Sequence, residues 1–381
     1  MITATQPALA WLASRRGEME ALLETLVNID SFSHDKAGND RVLEALAAFL
    51  AGEGVSFERI PIDGFGDALR VTVGGSGNAH ALMMGHRDTV FPSGTVAARP
   101  YRKHGDRAYG PGVADMKSGL VLIAFVLKAF AETKSAPYPL VALFTGDEEI
   151  GSDTSRPLIE AAAVGARAVL NMEPGRASGN VVSARKGGFW MKIDVTGKAA
   201  HAGVNHQAGC SAIEALARKV PRLHALTDYE TGITTNVGVI AGGIGHNTVA
   251  SWASAEFDVR IVEEAQRAPI VAAIEAILAE EEVPGTRATG TMMSHRVPME
   301  ARMSAGLLDR YRTAAAALGF SVGGEFTGGC ADSGFTAAMG VPTLCGLGPV
   351  GEKAHTDEEV CHLETLVPRA QAVAATLVSL A

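Results

Sequence analysis

Cysteine is scarce in this 381-residue chain. Its four copies, Cys210, Cys330, Cys345 and Cys361, are widely spaced and form no Cys-x-x-Cys pair. That spacing argues against a disulfide framework and against a structural zinc knuckle. Free thiols in a reducing cytoplasm fit it better. Positive charge is also short: 33 Lys and Arg stand against 42 Asp and Glu, a formal net charge of −9. A nucleic-acid footprint needs the opposite balance. No apolar run reaches the about 18 residues of a membrane span. Near the N-terminus Arg15 and Arg16 follow the apolar stretch instead of preceding it, which is the wrong order for a secretory signal. Internal repeats and low-complexity linkers are lacking too. These absences lead us to expect a cytoplasmic protein with no nucleic-acid and no membrane partner.

The chain is too long for one ordinary core, so two domains are expected. Residues 17–51 carry two helical patterns broken by the polar loop SHDKAGND. Strand patterns follow at 55–62 and 68–74, and residues 79–84 form a continuous apolar run suited to the centre of a parallel sheet. A Gly/Pro-rich loop, GPGVADMKSG (110–119), leads into an apolar helix at 120–130. The run PLVALFT (139–145), a helix at 156–163 and a second central run at 166–172 complete an alternating pattern, which implies a mostly parallel α/β sheet. From residue 188 the texture changes. Strands at 189–196, 234–240 and 253–261 alternate polar and apolar residues, with helices at 211–223 and 266–282. A helix at 305–318 and a strand at 342–347 return to the first type. The expectation is a catalytic domain of residues 1–187 and 297–381 with an α+β domain, 188–296, inserted into it.

The strand after residue 139 ends in Gly146-Asp147-Glu148-Glu149. Taken alone, three consecutive acids are a solvated turn more often than a site. Their sharp reading is one metal ligand beside one general base. Other strand ends decide between the two. His86 and Asp88 follow the run at 79–84, Asp115 lies in the Gly/Pro-rich loop, Glu173 ends the run at 166–172, and His355 comes late. Ligands in open α/β sheets bind at the carboxyl ends of the strands. Singly, each of these is a structural histidine, a turn residue or a helix cap. Jointly, two histidines and several carboxylates suit zinc, with cobalt or manganese as alternatives.

The motifs GHRDTV (85–90), GPGVADMKSG (110–119), GDEEIGS (146–152), NMEPG (171–175), GKAAHAG (197–203), GHNTVA (245–250), FDVRI (257–261) and EKAHTDEE (352–359) span nearly the whole chain. Together they resemble those of the di-zinc peptidases that include bacterial glutamate carboxypeptidase, aminoacylase, acetylornithine deacetylase and succinyl-diaminopimelate desuccinylase. The resemblance implies a parallel-sheet zinc-peptidase domain and a ferredoxin-like lid and dimerisation domain, hence a homodimer. It implies two zinc ions, one held by His86 and Glu173, the other by Glu149 and His355, with Asp115 bridging. Asp88 would orient His86, and Glu148 would be the general base acting on a metal-bridging water. The Asp115–Met116 peptide is expected to be cis. His201 would bind the substrate carbonyl, and Asn247 and Arg260 would serve substrate binding.

Two further stretches bear on substrate. Arg296, in Ser294-His295-Arg296-Val297-Pro298, stands where the glutamate carboxypeptidase branch has an arginine for the substrate α-carboxylate. Gly328-Gly329-Cys330-Ala331-Asp332-Ser333 resembles that branch's Gly-Gly-Gly-Thr-Asp-Ala loop, with Gly329 near the carboxylate and with departures at Cys330 and Ser333. The expected activity is metal-dependent hydrolysis of an amide bond that releases a C-terminal amino acid from an N-acyl amino acid or dipeptide-like substrate. The alternative is an N-acyl-amino-acid deacylase of the desuccinylase or acetylornithine type. A non-catalytic protein that binds an acyl amino acid is a remote third. Asp147, Arg185 and Lys186 have no assigned role.

Overall fold

A computed structural model describes residues 6–75, 77 and 79–381. The chain divides into two compact units. Unit 1 comprises residues up to 184 together with 301–327 and 331–381, and unit 2 comprises 185–300 and 328–330.

Unit 1 is built on a six-stranded sheet. In spatial order the strands are Val55–Ile60, Ala68–Val73, Leu140–Thr145, Ala81–His86, Val169–Asn171 and Thr343–Leu344. The last four run parallel and the first two pair antiparallel. Ala81–His86 and Leu140–Thr145 are buried along their whole length. This is why they read as unbroken apolar runs, since both faces of a parallel sheet are covered. The helix Ser118–Glu132 supplies much of that cover, and twelve of its fifteen residues are buried. Each fully buried Leu, Ile, Val or Phe on it favours the fold by about 1.5–3 kcal/mol over exposure. The C-terminal helix Leu366–Ser379 joins the same core. Tyr138 ties the two regions by donating its hydroxyl to the carbonyl of Leu377.

Several local features depart from the sequence expectation. The helix Lys36–Leu50, the second of the two expected over residues 17–51, starts inside the polar loop, because the Asp35 carboxylate caps it by accepting the Gly38 N–H at 2.9 Å. The helices Pro7–Ala13 and Leu366–Ser379 and a small sheet of Gly351–Glu352, Val360–His362, Arg107–Tyr109 and Arg102–His104 were not anticipated. Strands of two or three residues are too short to show a period.

Unit 2 contains a four-stranded antiparallel sheet in the order Thr234–Gly242, Trp252–Ile261, Gly187–Thr196 and Arg287–Arg296. The helices Ala212–His224 and Arg267–Ala279 alternate with these strands in sequence. The result is a β-α-β-β-α-β unit of the ferredoxin-like kind. Its core gathers Phe189, Ile193, Leu216, Phe257, Val259 and Ile274. The strand Arg287–Arg296 was not foreseen. A bulge between Met292 and Ser294 interrupts its register, and most of it is exposed, so its sequence carries no alternation. Among the described residues, no helix is long and apolar enough to cross a membrane.

Candidate metal centre

Three neighbouring parallel strands bring their carboxyl ends together at one edge of the unit 1 sheet. His86 is the last residue of its strand and pairs in register with Thr145, while Met84 pairs with Asn171. The stretch Gly146 to Glu149 and the residue Glu173 therefore emerge beside His86. Close packing adds a fourth segment. A Cβ on Gly119 would lie 2.0 Å from the carbonyl oxygen of Met172. Only glycine lets the first turn of Ser118–Glu132 approach that strand end so closely, and Asp115 sits just before this turn. The Asp115–Met116 peptide is cis.

The side chains converge. His86 Nε2 lies 3.2 Å from Asp115 Oδ1 and 3.8 Å from Glu173 Oε1. His355 Nε2 lies 3.3 Å from Asp115 Oδ2 and 3.2 Å from Glu149 Oε2. The two oxygens of Asp115 thus face two different histidines. Ligand atoms of His86, Asp115 and Glu149 all fall within 4.8 Å of one another. His86 Nδ1 donates to the Asp88 carbonyl at 3.0 Å, which turns Nε2 toward the carboxylates.

This cluster calls for positive charge. Burial disfavours a charged His86, yet Asp115 and Asp88 hold its pKa well above the ordinary imidazole value. Asp115 and Glu149 raise His355 to about 10. Burial pushes Glu149 up to about 7 against its bond from His355, and Asp115 adds to the push. Asp115 overcomes its own burial through both histidines and stays well below the usual carboxylate range. Glu149 Oε1 is buried without a hydrogen-bond partner, an arrangement that costs about 1–3 kcal/mol or more if nothing fills it. Imidazole nitrogens and carboxylate oxygens are the donors a borderline divalent cation takes. The residues therefore fit a metal ion.

The acids of Gly146–Glu149 divide their work. Asp147 is buried and accepts bonds from the Thr154 N–H at 2.9 Å, the Thr154 hydroxyl at 2.6 Å, the Ser155 N–H at 3.2 Å and the Ser155 hydroxyl. It shapes the turn into the helix Arg156–Ala163. Glu148 and Glu149 lie in a single 3₁₀ turn, Glu148–Ile150, and not in extended chain. The Asp88 carboxylate holds that turn by accepting both N–H groups at 3.1 Å, and it also accepts the Ser33 hydroxyl at 2.8 Å. Asp88 Oδ1 is farther from His86, 3.4 Å. Asp88 thus orients His86 chiefly through its carbonyl and spends its carboxylate on the glutamates.

Residues that sequence reasoning missed include Ser33, in the loop set aside as polar, and Glu359, whose carboxylate binds the backbone of the Asp115 loop. For Glu359 one signal was available, its place four residues after His355.

Unit 2 holds the remaining candidates in two groups. His201 and Asn247 are neighbours, joined by an Ala202 N–H bond to the Asn247 carbonyl at 2.9 Å. His201 Nδ1 accepts the N–H groups of Gly203 and Val204, each at 3.2 Å. A neutral ring with Nδ1 as acceptor carries its proton on Nε2, a donor for a carbonyl oxygen. Arg260 binds Asp258 at 2.9 Å and reaches Cys330 Sγ at 2.9 Å, while Arg185 donates to the Gly329 carbonyl at 3.3 Å. Arg296 is buried at the end of its strand, paired with Gly188.

The model of peptidase family M20/M25/M40 matches residues 82–379. The chain belongs to this peptidase family. Carboxypeptidase G2 of Pseudomonas sp. (strain RS-16) is 30% identical over 365 residues, covering 93% of this chain and 87% of that protein. Acetylornithine deacetylase of Pasteurella multocida (strain Pm70) is 29% identical over 253 residues, 62% of this chain and 64% of its own. Among solved structures, aminopeptidase PepT from Bacillus cereus ATCC 10987 superposes with a TM-score of 0.79 at 20% identity, covering 96% and 98% of the two chains. The M20 family metallo-carboxypeptidase Sso-CP2 from Sulfolobus solfataricus gives 0.75 at 16% identity, with 94% and 98% covered. As a member of M20/M25/M40 the protein is a metal-dependent hydrolytic enzyme, so the non-catalytic binding protein is not retained.

Proposed function

We propose that the protein hydrolyses the amide bond to a C-terminal amino acid, with an N-acyl-glutamate or folate-type conjugate as the leading substrate class. The observation that carries the reading is Asp115, whose two oxygens face His86 and His355 separately. That is the arrangement a bridging ligand needs. His86 and Glu173 would hold one zinc ion, Glu149 and His355 the other, and cobalt or manganese suits the same donors. Two such ions, when bound, supply Lewis-acid polarisation of the scissile carbonyl and lower the pKa of water.

The remaining steps fall to the protein. The Glu148 carboxylate takes a proton from the attacking water and passes it to the leaving amine nitrogen. Asp88 keeps Glu148 in place through its backbone N–H. His201 donates from Nε2 to the carbonyl oxygen as that oxygen gains negative charge. Arg296 grips the substrate α-carboxylate in two-pronged fashion, and Asn247, Arg260 and Gly329 complete substrate binding. The similarity to carboxypeptidase G2 over most of both chains supports this reading. The second reading, an N-acyl-amino-acid deacylase, draws support from the acetylornithine deacetylases, which match a shorter stretch.

A hydrolysis panel of N-acyl-glutamate, -aspartate, -phenylalanine and -ornithine decides between them. We expect N-acyl-glutamate to be cleaved fastest. Preference for the ornithine derivative would favour the deacylase. In the same panel Arg296→Ala is expected to lower kcat/KM more than tenfold, about 1.4 kcal/mol or more, and a smaller loss would remove Arg296 from carboxylate binding.

We also infer a homodimer formed through unit 2, in a cytoplasmic setting. The strand Thr234–Gly242 lies at one edge of its sheet, and Val239 and Ile240 on it, with Ile244 and Trp252 nearby in sequence, are exposed. An open edge carrying apolar side chains invites a partner. Sedimentation at micromolar concentration should show a dimer, and monomer alone would count against it.

A further inference from the structure

Glu359 follows two exposed acids, Asp357 and Glu358, yet is itself 1% exposed. Its carboxylate accepts N–H groups from the loop that carries Asp115. Oε2 accepts from Gly112 at 3.0 Å, and Oε1 accepts from Ala114 at 2.8 Å and from Asp115 at 2.9 Å. Three converging N–H donors are met by two acceptor oxygens, which only a carboxylate supplies among side chains of this length. The loop is tight at this point. Gly112 has φ of 72°, and a Cβ there would meet Thr89 Cγ2 at 2.5 Å.

The same residue also borders the turn that presents His355. The Glu359 N–H donates to the Thr356 carbonyl at 3.2 Å, and Arg99 Nη1 donates to that same oxygen at 3.0 Å. Lys353 and His355 both have left-handed φ, 57° and 64°, a conformation costly for residues other than glycine unless the surroundings impose it. Directly after Glu359, the strand Val360–His362 pairs with Arg107–Tyr109, the strand just before the Asp115 loop. Backbone pairing thus brings the two segments alongside, and the Glu359 carboxylate fastens them.

We propose that Glu359 is a positioning residue that latches the Asp115 loop to the His355 turn and so sets the metal affinity of the centre. This rests on the reading of Asp115 and His355 as metal ligands. Outer partners that orient ligands typically change metal affinity 10–100-fold when altered.

The test compares wild type with Glu359→Gln, which keeps the size and one acceptor oxygen but turns an NH₂ toward a backbone donor. The zinc dissociation constant is measured by chelator competition, and the melting temperature is taken with and without zinc. We expect at least a tenfold weaker zinc affinity and a smaller zinc-induced rise in melting temperature than in wild type. An affinity within tenfold of wild type, whatever the metal-free stability, would overturn the latch. If wild type itself binds no divalent metal, the metal-centre reading fails beneath it, which is a distinguishable result. Amide hydrogen exchange of metal-free wild type needs no variant to fold. Slow exchange at Gly112, Ala114 and Asp115 is expected, and exchange as fast as that of exposed loops would equally overturn the proposal.

Discussion

Glu148→Gln is expected to abolish turnover while leaving metal content at the wild-type level. The substitution keeps the volume and the backbone of the 3₁₀ turn, whose N–H groups are fixed by Asp88. It removes only the basic oxygen that would receive a proton. General acid–base catalysis by one positioned group contributes about 10²- to 10⁴-fold, equivalent to about 3–5 kcal/mol in the barrier. A loss at the upper end is expected here, because Glu148 serves both the attacking water and the leaving amine. Steady-state kinetics beside elemental metal analysis reads both quantities. A variant with kcat within tenfold of wild type would exclude Glu148 as the base. A variant that has lost its metal would instead make Glu148 a ligand.

Asp115→Asn is expected to remove metal and activity together. Among the described residues, Asp115 is the carboxylate placed against both His86 Nε2 and His355 Nε2. Asparagine preserves the shape but offers one acceptor oxygen and one NH₂, so it cannot hold cations on both sides. It also lacks the negative charge that raises the pKa of both imidazoles. Metal analysis after dialysis should find at least one ion fewer per chain than in wild type, and activity should fall by at least about 10³-fold, the scale of a lost catalytic assembly. Full metal content in Asp115→Asn would show that the bridge is not required. Paired with Glu148→Gln, the result separates two kinds of inactive enzyme, one with its metal and one without.

How much of this was legible beforehand depends on whether the cause was local. His86, Glu149 and Glu173 could be placed at strand ends because buried parallel strands leave long apolar runs that stop abruptly at polar residues. Their convergence follows from strand adjacency alone. The work of the Asp88 carboxylate was not legible, since it depends on the register between Ala81–His86 and Leu140–Thr145, which sequence spacing does not reveal. Ser33 and Glu359 were hidden for the same reason. Ser33 acts on the Asp88 side chain and Glu359 on the backbone of residues 112–115, each far away in the chain, and neither partner is marked by sequence spacing. Asp147 looked like its two neighbours in composition, and only the bonds from Thr154 and Ser155 set it apart. In unit 2 the helices were readable from their period, whereas the cap that Ser211 places on Ala212–His224 emerges only from the structure. The exposed and bulged strand Arg287–Arg296 offered no such pattern.

Unit 1 is written in pieces on either side of residues 185–300. Four of the five candidate metal ligands precede that interruption, and His355, with the Glu359 latch, follows it. During synthesis the ribosome must therefore deliver nearly the whole chain before the centre can exist. A nascent chain halted anywhere in unit 2 carries His86, Asp115, Glu149 and Glu173 without the second imidazole, and without the helix Leu366–Ser379 that closes the core beneath them. The proposed centre is thereby split in time: His86, Asp115, Glu149 and Glu173 are made before unit 2, and the His355 side can form only after it.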